Sequence, residues 1–144
     1  MKRNFSLLSL FRINKVERPI PLLKLTDEKV ELISGRLKCL MLSKMPYLNA
    51  KYSIRAMAEE IDIPPYQLSN YLNQELGVSF NDYINGLRIE YFKILIKDAE
   101  GDRLNLSGLA GKCGFGNRNT LTAAVKKFTG FTPSSYRRGH GRYI

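Results

Sequence analysis

Tryptophan is absent from this 144-residue chain, histidine occurs once and cysteine twice. The single histidine, His140, stands in a tail rich in glycine, so no histidine-based triad or metal cluster can be assembled in a core. The carboxylates are scattered without a pairing signature, and no glycine-rich phosphate loop is present. These absences argue against an enzyme and leave neither a metal nor a cofactor to expect. Cys39 and Cys113 have no metal or redox spacing, and both fall in helical patterns beside apolar residues, so they read as buried free thiols. No apolar run is long enough to span a bilayer, and the stretch Phe5 to Phe11 is too short for a signal peptide. A cytoplasmic protein without a membrane partner is the expectation.

Acidic residues are also scarce. Asp and Glu number 13 against 23 Lys and Arg, a formal +10 that favours a polyanionic partner. The excess sits at the two ends. Residues 1–25 carry six basic and one acidic residue, residues 64–100 three and five, and residues 101–144 eight and one.

What the chain does have is an internal repeat. Leu106, Leu109, Ala110 and Cys113 form one apolar helical face, Gly114 marks a stop, and Asn117 can cap a following helix with Leu121, Val125 and Phe128 inward. The same face occurs 52 residues earlier as Ile54, Met57, Ala58 and Ile61, capped by Ser53. Beyond the turn the offset becomes 53, pairing Leu68 with Leu121, Leu72 with Val125, Gly77 with Gly130, Ser79 with Thr132 and Tyr83 with Tyr136. Two copies of helix, turn and helix are therefore expected.

Around the repeat, residues 1–25 lack a period and are broken by Pro19 and Pro21, which reads as an arm or linker. Residues 26–98 hold the first subdomain, beginning with a Thr26-capped helix striped by Val30, Ile33, Leu37, Leu40 and Met41 and stopped at Pro46. That subdomain ends in a long helix from Ser79 to about Asp98, with Phe80, Tyr83, Ile84, Leu87, Tyr91, Ile94 and Leu95 on its buried side. About 20 residues make a rod of roughly 30 Å, close to the ~34 Å pitch that separates major-groove faces on one side of a duplex. Ala99 to Arg103 reads as a loop into the second subdomain, 99–138, and residues 139–144 as a flexible tail. The fold class is thus all-α, two helix-turn-helix subdomains joined by a long linker helix.

The segments GLRIEYFKILI and LAGKCGFGNRNTLTAAVKKFTGFTPSSYRR resemble the AraC/XylS family of transcriptional regulators over residues 52–138. Gly114, Phe115, Lys126, Lys127, Gly130, Pro133, Tyr136 and Arg137 carry the likeness. Other stretches, PLLKLTDEK and NYLNQELGVSFNDYIN among them, look most like the subgroup attached to sensory domains in Bacteroidetes-type bacteria. The resemblance implies sequence-specific binding of double-stranded DNA by two recognition helices in successive major grooves. It places Tyr66, Ser69 and Asn70 toward bases in the first helix, Pro65 to Leu76. It places Arg118, Asn119, Thr122 and Ala123 there in the second, Asn117 to Thr129. Lys126, Lys127 and Arg137 join them as expected phosphate contacts, with Lys112 and Arg138 as further candidates. Pro64 stands where the family usually has a capping serine. Further partners the resemblance allows are RNA polymerase and an upstream sensor domain or a second copy. A helical protein-interaction module without specific DNA binding is the competing reading. It would present a net-neutral apolar groove, whereas the outer face of the second unit is polar and basic. RNA is disfavoured, because neither an aromatic sheet surface nor a loop clamp is present.

Overall fold

The computed structural model describes residues 24–140, so the expected arm before Lys24 and the last four residues of the tail lie outside it. Among the described residues there are eight α-helices and no strand. They are α1 (Asp27–Ser43), α2 (Ile54–Glu60), α3 (Pro65–Gln74), α4 (Phe80–Leu95), α5 (Ala99–Arg103), α6 (Leu106–Lys112), α7 (Arg118–Thr129) and α8 (Pro133–His140), with a 3₁₀ turn at Pro46–Leu48. No helix among them is long and apolar enough to cross a membrane.

The chain divides into two compact units. Among the described residues, the first comprises 24–45 together with Tyr52–Tyr83; the second comprises Pro46–Lys51 and 84–140. Most of α4 therefore packs with the second unit, where the sequence suggested the whole helix would belong to the first. The connector Pro46–Lys51 also leaves the first unit and lies on the second.

In the first unit α3 packs against both α1 and α2, and Ile33, Leu37, Met57, Leu68, Leu72 and Tyr83 are almost completely buried. In the second, Ile89, Phe92 and Ile96 from α4 and the residue after it meet Leu109, Cys113, Leu121 and Val125 in one cluster. Burying such side chains contributes roughly 1.5–3 kcal/mol each, the main favourable term in a domain this small.

The repeat is reproduced in backbone detail. In the first turn Asp62 takes φ 54 and the Ile63 amide donates to the Ala58 carbonyl at 3.0 Å. In the second, Gly114 takes φ 84 and the Phe115 amide donates to the Ala110 carbonyl at 2.9 Å. Downstream, Gly77 and Gly130 both turn left-handed, and Ser79 and Thr132 each accept a 3.1 Å bond from the amide three residues on. Thr26, Ser53, Asn105 and Asn117 cap their helices through the side chain as well. Pro64 occupies the cap position of α3 with no side-chain bond. Pro65 at the first helical position compensates in part, since its ring presets the helical φ and it has no amide to satisfy.

Three expectations are corrected. Residues 99–103 form a helix rather than a loop, and α4 stops at Leu95 because an i→i+3 bond from the Lys97 amide to Ile94 tightens the exit. Gly101 lies so close to the end of α4 that a Cβ would sit 1.9 Å from the Leu95 carbonyl oxygen. Cys39 is exposed on α1 and only Cys113 is buried, while Ile94 faces solvent. Cys39 lies off the inward stripe of α1, and Ile94 at the edge of that of α4, so their apolar character alone does not bury them.

Candidate nucleic-acid interface

In the second unit, the Asn117 side chain accepts from the Thr120 amide at 2.9 Å and starts α7 at Arg118. From that start, Arg118, Asn119, Thr122, Ala123 and Lys126 recur at the i, i+4 spacing of one helix face. Leu121, Ala124 and Val125 on the opposite face are buried. Arg118, Asn119, Ala123, Lys126 and Lys127 are exposed, and Thr122 is half-buried. The Thr122 hydroxyl donates to the Arg118 carbonyl at 2.9 Å, so it presents a methyl and an acceptor outward rather than a donor.

The turn before α7 is held from behind by the connector. Arg88, a buried residue of α4, donates from Nε to the Tyr47 carbonyl at 2.7 Å and from Nη2 to the Asn49 carbonyl at 2.9 Å. Its guanidinium also lies 5.5 Å from the centre of the Phe115 ring. Gly114 closes the contact, because a Cβ there would stand 2.3 Å from the Tyr47 carbonyl oxygen. Burial lowers the Arg88 pKa, and the two carbonyls with Asn85 are what make a buried cation tolerable.

In the first unit, Tyr66 is 58% exposed, and Ser69 and Asn70 are half-buried beside it on α3. Asn73 completes this face at i, i+3, i+4, i+7, donating to the Ser69 carbonyl at 2.9 Å and to its hydroxyl at 3.4 Å. Asn73 follows Tyr66, Ser69 and Asn70 at the same helical spacing, the sequence signal that marks it as part of this face.

Arg137 and Lys112 are placed differently from the other basic residues. Arg137 donates through Nη2 to the carbonyls of Gly101, Asp102 and Leu104, where it caps the C-terminal end of α5. One edge of its guanidinium is thereby anchored to the fold. Lys112 pairs with Glu100 at 2.9 Å, and both side chains are exposed, so water and a phosphate compete easily for that lysine. Arg138 is exposed on α8.

The units differ sharply in charge. Counting described residues, the first has 6 Lys and Arg against 8 Asp and Glu, net −2, and the second 11 against 4, net +7.

Two capped helix-turn-helix units, each presenting a polar exposed face on its second helix, define a bipartite helix-turn-helix domain. A helix-turn-helix domain family model matches residues 57–139, and the chain belongs to that family, the AraC-type domains of transcriptional regulators. The HTH-type transcriptional regulator YijO of Escherichia coli (strain K12) is 31% identical over 96 residues, 64% of this chain and 33% of its own length. The C-terminal domain of AraT, a response regulator from Geobacillus stearothermophilus, superposes with a TM-score of 0.63 at 24% identity, covering 78% of this chain and 87% of that domain. The DNA-binding domain of AdpA, in complex with a target DNA, superposes with a TM-score of 0.57 at 16% identity over 76% and 88%. These two likenesses concern the fold. The chain spans about a quarter to a third of the length of the curated relatives it matches.

Proposed function

We propose that this chain is the DNA-contacting part of a transcriptional regulator, and that it binds specific double-stranded DNA with α7 as its anchor and α3 as a weaker second reader. The carrying observation is the exposed face of α7, where Arg118, Asn119, Thr122 and Lys126 follow a capped N-terminus on a unit of net +7. Arg and Asn are the side chains whose paired donors and acceptors match guanine and adenine edges in a major groove. Lys126, Lys127 and Arg138 add phosphate contacts, whose counterion release is sequence-independent affinity. The α3 face has no basic residue, so Tyr66, Ser69, Asn70 and Asn73 act through direct base contact alone, including the Tyr66 ring against a thymine methyl. The exposed face of α7 offers no apolar groove, which disfavours the interaction-module reading.

Selection of bound sites from a random duplex library followed by footprinting tests this. The variant with Arg118 and Asn119 changed to Ala should lose the whole footprint. The variant with Ser69 and Asn70 changed to Ala should keep protection over one half-site. Absence of any enriched motif would overturn DNA reading, and the reverse footprint pattern would overturn the ranking of the two helices.

A further inference from the structure

Helix α1 lies outside the residues matched by the family, and nothing in the DNA reading uses it. It is apolar on two sides. Ile33, Leu37, Leu40 and Met41 are buried in the first unit, while Leu32 and Leu42 on the outer side are 40% and 55% exposed. Glu28, Leu32, Gly35, Cys39 and Leu42 follow one another at intervals of four, three, four and three, the spacing of a helix-pairing seam. Gly35, at the middle of that seam, makes no close approach within the protomer. It sits in the interior of an α-helix, it is exposed, and a Cβ built on it meets nothing within 4 Å. Glycine there costs about 1 kcal/mol relative to alanine, and close approach of another backbone is what such a residue permits.

The flanks indicate which helix approaches. Glu31 and Lys38 are seven residues apart, so they occupy the same edge of the seam, and both are exposed with no ion pair among the described residues. In an antiparallel pair of identical helices each edge faces its own copy, which sets Glu31 against the other chain's Lys38 twice. On the opposite edge Arg36 is drawn back to the Ile61 carbonyl at 2.7 Å, leaving Lys29 to face a serine, Ser43. The acidic first half of α1 and its basic second half therefore complement each other only head to tail.

We propose that two copies of this chain pair through the outer face of α1, antiparallel, crossing at Gly35. A seam of four turns is at the small end of specific interfaces, roughly 1,000 Å², which suits a weak dimer tightened by binding two sites on one DNA. The pairing does not depend on the DNA reading and can be tested without DNA.

Sedimentation equilibrium of the full chain gives the first readout. Glu31→Lys or Lys38→Glu alone should weaken self-association roughly tenfold by setting like charges face to face, and the double exchange should restore it. Disulfide trapping gives the second. Gly35→Cys in a Cys39→Ser background should cross-link on oxidation. Native Cys39 should not, since antiparallel packing separates the two copies of Cys39 by about 12 Å along the seam. All these positions are exposed, and unchanged thermal melts would confirm that folding is intact. A strictly monomeric chain, a double exchange that fails to restore pairing, or efficient trapping through Cys39 would each overturn the proposal.

Discussion

Changing Gly114 to alanine probes how the second recognition helix is held. At φ +84 an L-residue other than glycine costs about 1–2 kcal/mol before any contact is considered. The new methyl would also stand 2.3 Å from the Tyr47 carbonyl oxygen and 2.8 Å from both the carbonyl carbon and Cα of Leu48. These are backbone atoms, so no rotamer relieves the overlap and the connector has to move. Moving it breaks the Arg88 bonds to Tyr47 and Asn49, and hydrogen bonds from a charged donor contribute about 1.5–3 kcal/mol each. With partial relaxation the total loss should be about 3–5 kcal/mol, a large share of the 5–15 kcal/mol available to a domain. Urea unfolding followed by circular dichroism measures it, with Gly111→Ala as the comparison. Gly111 lies in α6 with open space around its Cβ, so that variant should gain up to ~1 kcal/mol. Combining Gly114→Ala with Arg88→Met should cost less than the sum of the two, because both act on one contact. A Gly114→Ala loss below about 1 kcal/mol, or strict additivity with Arg88→Met, would refute the clamp.

Other outcomes follow from the same geometry. Affinity for duplex DNA should fall linearly on a log–log plot against salt, by about 0.9 unit per phosphate neutralised, and Lys126→Ala should reduce that slope by about one contact. Arg137→Met should lower the urea midpoint by an amount equivalent to about 2–3 kcal/mol, since its Nη2 donates to carbonyls at the end of α5. A thiol reagent at pH 8 should modify Cys39 rapidly and Cys113 only on unfolding, because burial pushes the Cys113 thiol up to about 12. Tyr52 and Tyr83 are likewise raised, chiefly by burial. For all three groups the folded state holds its proton longer than the unfolded one. The chain should therefore keep full stability below about pH 8.5 and lose it progressively on going to pH 12, as alkaline titration monitored by circular dichroism would show.

Local signals carried the helices and turns. Thr26, Ser53 and Asn117 act three residues along the chain, and the Ala58–Ile63 and Ala110–Phe115 turn bonds span five, so residue type and spacing were enough to find them. The faces of α3 and α7 were legible for the same reason, since a helix period places Tyr66 with Asn70 and Arg118 with Thr122 wherever the helix sits. Chain-distant contacts were not legible. Arg88 reaches Tyr47 across 41 residues and Asn49 across 39, and Arg137 reaches Gly101 across 36. In the sequence Arg137 is one more cation in a basic stretch, and Pro46–Lys51 is a gap between helices. Only the packed chain decides that the cation caps a helix and that the gap braces the turn before α7. The inward stripe of α1, with Ile33, Leu37, Leu40 and Met41, was legible from its period, whereas the exposure of Cys39 beside it was not. Composition and period determine that this chain makes two helix-turn-helix units with unequal charge. The brace behind the second, and the open seam on α1, exist only once residues far apart in the chain compete for the same buried space.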